Sequence, residues 1–285
     1  MALSRISDLN SLFNTIFEDA IFVAREQNVM ASLVTPFSAS TFANRQLGIY
    51  PSLTAQTVAE GVDYSNPITW DKTNVMTITP SRVQTQITLT DERIMTDPDD
   101  ARRDAAREMG GAIATKIDSD LVDEFANFTN SKGAAGSVLS ISVVAAAMSV
   151  LRVNYAPNPI RVVVHPNQWF DVWTELGSPA VNQAFLGDVA NEALRNYFVG
   201  FWIGADWFVS GNITVDGNDD AKGGIFHREA LALDTRTPMT MEPERDPSQQ
   251  AWELNMVARY GTSVRRDAFG AYLLSDATSP DGFGS

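Results

Sequence analysis

The stretch at residues 96–128, TDPDDARRDAAREMGGAIATKIDSDLVDEFANF, reads as one helix of about thirty residues with an adjacent Gly110-Gly111 pair in its middle. Asp97 before Pro98 supplies an N-cap with proline at the first helical position, and Asp99 and Asp100 suit the positive end of the helix dipole. A calcium site built from the same aspartates is disfavoured, because oxygen ligands from one helix start do not enclose a cation. Ala101, Ala105, Met109, Ile113, Ile117, Leu121 and Phe125 recur every four residues. Each helical step turns about 100°, so each repeat drifts about 40° and the stripe winds about 240° around the helix. Ala112, Val122 and Phe128 broaden the stripe without reversing the drift. Such a helix cannot lay one straight face on one core, so its two ends must meet different neighbours. Each mid-helix glycine costs about 1 kcal/mol against alanine, a cost that close approach of another backbone or a bend would offset.

The segments on either side differ in texture. Upstream, residues 48–92 are rich in Thr, Gln and Asn, carry turn signals at Gly61 and Asn66-Pro67, and read as a long hairpin. Its last limb alternates, with Val83, Thr85, Ile87 and Leu89 on one face and Arg82, Gln84, Gln86 and Thr88 on the other. A two-stranded ribbon this polar is marginal alone, so it must lean on its own domain or on another subunit. Before it, Leu9, Leu12, Phe13, Ile16, Phe17, Ala20 and Ala24 mark an amphipathic helix capped by Ser7, either a core helix or an arm packed on a neighbour.

Downstream, the spacing predicts a helix over 141–153, a buried strand IRVVV, an aromatic helix from Pro166, a helix over 188–198, and aromatic strands in FWIGADWFVSGN. This alternation is α+β or α/β with its own core, and the loop DGNDDAKGG ends it. The remaining segments are extended and are expected to pair beside the long helix, the only scaffold left for them.

The composition excludes more than it selects. The absence of cysteine removes disulfides, thiolate metal sites and cysteine nucleophiles. A formal net charge of -14 repels nucleic acid as a whole-chain field. No signal-peptide pattern opens the chain and no run is apolar enough for a membrane helix. His165 and His227 lack zinc-site spacing, and phosphate-cradling, dinucleotide and nucleophile-elbow motifs are missing. Both histidines read as structural, with a base for a nearby serine as the rival. Trp169 and Trp173 with Phe170 read as core rather than a binding platform, and Lys72 as a solvated edge charge.

Taken in order, these parts resemble the major capsid proteins of tailed phages, with the Hong Kong 97 phage type of α+β fold. The segments that carry the likeness are LFNTIFEDAIFVAREQNVMASLVT, the Thr-rich hairpin, ITLTDERIMTDPDDARRDAAREMGGAIATKIDSDLVDEF, and the late stretches GGIFHREALALDTRTPMTM and VARYGTSVRRDAFGAYLL. The arm and spine segments look nearest to podophage-like coat proteins. The resemblance implies an N-terminal arm (1–47), an extended hairpin loop (48–92), a peripheral domain with the spine helix (93–134), an axial domain (135–224), and return strands (225–285) whose last member reaches the axial domain. It implies a non-enzymatic shell subunit without cofactor or metal, in pentamers and hexamers around double-stranded DNA in the virion, assembled in the host cytoplasm. Contacts between subunits are expected at Phe13, Phe17, Trp70, Lys72, Gly110 and Gly111. Implied partners are further copies of the chain, a separate scaffolding protein, a portal and a cement protein, with no membrane and no large N-terminal cleavage. An encapsulin-like nanocompartment shell shares the fold, and a soluble hydrolase using His165 or His227 is the alternative from a different class.

Overall fold

The computed structural model describes residues 29–38, 44–50, 53–63, 70–96, 101–177 and 200–280. In chain order the elements are α1 (Met30–Leu33), β1 (Thr35–Ser38), β2 (Arg45–Ile49), β3 (Thr73–Ile78), β4 (Ser81–Thr90), α2 (Asp91–Thr96) and α3 (Ala101–Asp123). There follow β5 (Ser131–Gly133), α4 (Ile141–Val153), β6 (Ile160–Val164), α5 (Pro166–Gly177), β7 (Phe201–Trp202), β8 (Ala205–Val209) and β9 (Asp220–His227). The chain closes with β10 (Leu231–Asp246), β11 (Ala251–Val264) and β12 (Gly270–Asp276).

The spine is α3, finished by a tighter 3-10 turn at Glu124–Asn127. Its buried residues follow the winding stripe. Ala105, Met109, Ile113, Leu121 and Phe125 are buried, and Ala106, Ala114, Asp118 and Val122 form a second row beside them. Ala112, expected to broaden the stripe, is exposed instead, because it stands on the far side of the helix from both rows. Asp91–Thr96 is a separate short helix, and the Asp97-Pro98 cap, the Ser7 cap, the arm helix and the helix over 188–198 lie outside the described residues.

Two sheets pack against the spine, and both reach its C-terminal end. One has the order β1-β10-β11-β4, and α3 packs along β4 and β11. Tyr260 Oη donates to Asp120 Oδ2 at 2.7 Å and Thr262 Oγ1 to Glu124 Oε1 at 2.9 Å, tying β11 to the helix. The other has the order β5-β12-β9-β6-β8-β7, and the end of the spine inserts Phe125 against Phe226 at 5.4 Å between ring centroids. A Cβ on Gly224 would stand 2.6 Å from the Phe125 ring, so only glycine lets β9 approach this closely. One hydrophobic cluster runs through both sheets and the spine.

Two expectations are corrected here. The limb with alternating Val83, Thr85, Ile87 and Leu89 does alternate in burial, but it is not half of the hairpin. β4 pairs antiparallel with β11, from Ser81↔Tyr260 to Thr90↔Ala251, while the ribbon is β2 with β3, from Arg45↔Ile78 to Ile49↔Thr73. Ribbon pairing thus begins before residue 48 and ends before residue 81. The loop read as DGNDDAKGG is likewise shorter, since strand β9 starts at Asp220 and runs unbroken through residue 224. Burial at seven of its eight positions, Lys222 excepted, explains why Gly223 and Gly224 serve as strand rather than turn.

Candidate functional site

The ribbon is one of the places where the described residues leave apolar surface uncovered. β2 and β3 form a two-stranded sheet of their own. Just beyond the last paired residues Tyr50 stacks on Trp70, with centroids 4.5 Å apart, and Lys72 Nζ stands 5.6 Å from the Tyr50 ring centroid. Tyr50 and Trp70 are nonetheless 48% and 58% exposed, and Leu53 and Val62 further along are also exposed. Lys72 is therefore more than a solvated edge charge: its alkyl stem fills the place of a side chain at Gly48, where an added Cβ would meet it at 2.8 Å. Tyr50 was not singled out from sequence, because its nearness to Lys72 follows only from the Ile49↔Thr73 register.

At its root the ribbon is held by charge. Asp234 on β10 is fully buried between Arg45 Nε of β2 at 3.1 Å and Arg236 Nε at 2.8 Å. The Arg45 contact is close in distance but misaligned for a hydrogen bond, so it acts as an ion pair. Phe37 lies beneath two guanidinium groups, Arg45 at 5.1 Å and Arg265 at 5.7 Å.

Asp118, towards the end of the spine, joins two distant segments of the chain to it. It accepts from Met30 N–H at 2.8 Å, Ser210 Oγ at 3.0 Å and Asn212 Nδ2 at 2.7 Å. Residues 29–35 are fixed further by Arg161, which donates to the Leu33 carbonyl, and by Arg228 Nε, which donates to the Val34 carbonyl at 3.1 Å. Of the residues predicted to meet other subunits, the structure brings Trp70 and Lys72 together around Tyr50. Gly110 is buried and Gly111 half-buried on the spine, and Phe13 and Phe17 lie outside the described residues.

The groups that would serve an enzyme are put to other uses. The β6–β9 register pairs Ile160 with His227, while His165 follows the other end of β6. Each Nδ1 accepts the N–H two residues on, from Asn167 at 3.2 Å and from Glu229 at 3.3 Å. Burial holds both imidazoles below their usual pKa, so they are neutral structural acceptors. Trp169 is fully buried with Trp202 and Trp207 around it, as expected of a core residue. A cavity of 220 Å³ is lined by Val122, Ile213, Thr214, Asp216, Asp220 and Lys222. Among the described residues no cluster of three His, Asp or Glu is placed to hold a metal, and no helix is long and apolar enough to cross a membrane.

A long spine flanked by two sheets, with a two-stranded ribbon beside them, is the Hong Kong 97 phage-type α+β fold. The chain belongs to the phage capsid protein family, whose model matches residues 74–274, and it is a component of the virion capsid. Three solved structures show the same fold. One from Mycobacterium phage Che8 has 20% identity and a TM-score of 0.70 over 89% of this chain and 92% of that one. The capsid of cyanophage P-SCSP1u has 13% identity and a TM-score of 0.69 over 88% and 89%. A virus-like particle from Pyrococcus furiosus has 11% identity and a TM-score of 0.59 over 93% and 99%. A search of curated proteins finds no match.

Proposed function

We propose that copies of this chain assemble as pentamers and hexamers into a closed icosahedral shell around double-stranded DNA. The observation that carries the reading is the ribbon, which has only two strands and presents stacked Tyr50 and Trp70 to solvent. An isolated two-stranded ribbon is marginal in water, and aromatic side chains are what interface cores favour, so a second copy is its natural cover. Trp70 and Lys72 are the contact residues proposed on the ribbon, Phe13 and Phe17 on the arm, and Gly111 on the spine, Gly110 being buried within the subunit.

The proposed division is an N-terminal arm, a ribbon from Arg45 to Ile78, a spine with its four-stranded sheet, and a six-stranded sheet reaching towards a symmetry axis. A formal net charge of -14 gives a shell lining that does not hold DNA during packing. Scaffolding and portal proteins, and a cement protein, complete the proposed set of partners. Electron microscopy of the purified protein tests shell formation, and closed particles with five-fold and six-fold units are expected. Nuclease-protected DNA inside particles from infected cells is the expected content. Cargo protein in its place would move the reading to a nanocompartment, and small soluble oligomers would end it.

A further inference from the structure

The four-stranded sheet turns one face to the spine and the other to solvent, and the solvent face has an ordered charge pattern. On it Arg82 of β4 stands directly opposite Arg259 of β11, and both are exposed. Six residues along β4, Thr88 stands opposite Glu253, which in turn stands opposite Glu244 of β10. Paired residues on adjacent strands point to the same side, so this single face ends in two arginines at one extreme and two glutamates at the other. Glu242, in the next row, adds a third glutamate to the acidic end. Like charges directly opposite destabilise a sheet, and this sheet has two such pairs, of opposite sign. Among the described residues Arg82, Arg259, Glu242 and Glu244 make no ion pair that would relieve them. Between the two ends stand amides: Gln84 Nε2 donates to Asn255 Oδ1 at 3.0 Å, and Gln86 Nε2 donates to Glu253 Oε2 of the acidic end at 2.9 Å.

The two ends lie about 20 Å apart at the rise of an extended strand. A pattern with plus at one end, minus at the other and amides between is complementary to itself after rotation by 180°. We infer that this face docks a second copy of the same chain about a two-fold axis passing near Gln84 and Gln86, with Arg82 and Arg259 of one copy against Glu244 and Glu253 of the other. The contact is isologous, so each pair of copies forms it twice. Three strands over that length make a patch far smaller than the roughly 800 Å² per partner of a stable free dimer. It therefore acts as one contact among several in a larger assembly, and in this it rests on the shell reading above.

Two variants test it, one with Arg82→Glu and Arg259→Glu, the other with Glu244→Lys and Glu253→Lys. Each places like charges across the two-fold, and each alone should form closed shells at least about tenfold less well than the parent at low salt, with the deficit shrinking as salt rises. Mixed in equal amounts, the two should recover parental yield, because the acidic face of one fits the basic face of the other. Misfolded chains would not rescue each other, so recovery also excludes a folding defect. Parental yield from either variant alone, or a mixture as poor as its components, overturns the two-fold contact while leaving the shell reading intact. Failure of the parent to form shells overturns both.

Discussion

The spine and the ribbon meet opposite fates in the same chain. Around the spine nearly every group finds its partner inside the molecule: Phe125 against Phe226, Asp118 with three donors, Asp120 with Tyr260. The ribbon is anchored at its root, through Arg45 and Asp234 and through Ile78 buried beside Gly261, and beyond its last paired residues carries a half-exposed aromatic pair. Interactions that fold the subunit and interactions reserved for its neighbours are thus kept in separate places, so damage to one should leave the other readable.

The largest effect should come from Phe125→Ala, which empties the contact between spine and β9 and should cost about 4 kcal/mol in denaturant unfolding. A loss below about 1 kcal/mol would mean that the spine end is not a core element. Asp118→Ala leaves the donors of Met30, Ser210 and Asn212 unmet and should cost about 3 kcal/mol. Gly110→Leu overpacks a buried spine position and should lose about 2 kcal/mol along with assembly. Normal shells from that variant would show that close packing at Gly110 is not needed for assembly.

Asp171→Asn should act in the opposite direction. Burial first, and the Asp276 carboxylate second, push the Asp171 carboxyl up from 3.8 to about 6, against the Leu139 N–H that favours its charged form. The folded chain then holds a proton that the unfolded chain has released between about pH 4 and pH 6. The contribution of this group is therefore favourable below the unfolded value and is lost as pH rises through the folded one. Asparagine removes the neutral-pH deficit, for a gain of about 1 kcal/mol at pH 7 after allowing for solvent screening of a half-buried group. Unfolding curves at pH 4 and pH 7 should show the gain only at the higher pH. Trp70→Ala should change unfolding by less than about 0.5 kcal/mol while lowering shell yield, the sharpest separation of the two regions.

Local signals made the spine, the alternation of β4 and the aromatic core of α5 legible in the sequence, since each is a period written over neighbouring residues. Partnership was not. Nothing near Val83 says that β4 lies against β11, whose residues are more than 150 positions away, and a limb next to a turn was naturally assigned to that turn. Tyr50 was missed for the same reason, because its place beside Lys72 depends on strand register. Asp118 stands beside the apolar stripe, and in a sequence it looks like any solvated helix carboxylate until Met30 and Asn212 are brought to it.

The hold on residues 29–38 has a mechanical side. β1 lies parallel to β10 from Thr35↔Ala232 to Ser38↔Thr235, and just before it Arg161 and Arg228 grip two successive carbonyls. A pull on the chain from its N-terminal side runs along this strand, not across it. Its hydrogen bonds are then loaded in shear, all together, and cannot be opened one after another like a zipper. A tether so arranged yields at a high force and over a short extension, which suits an attachment that must carry strain without creeping.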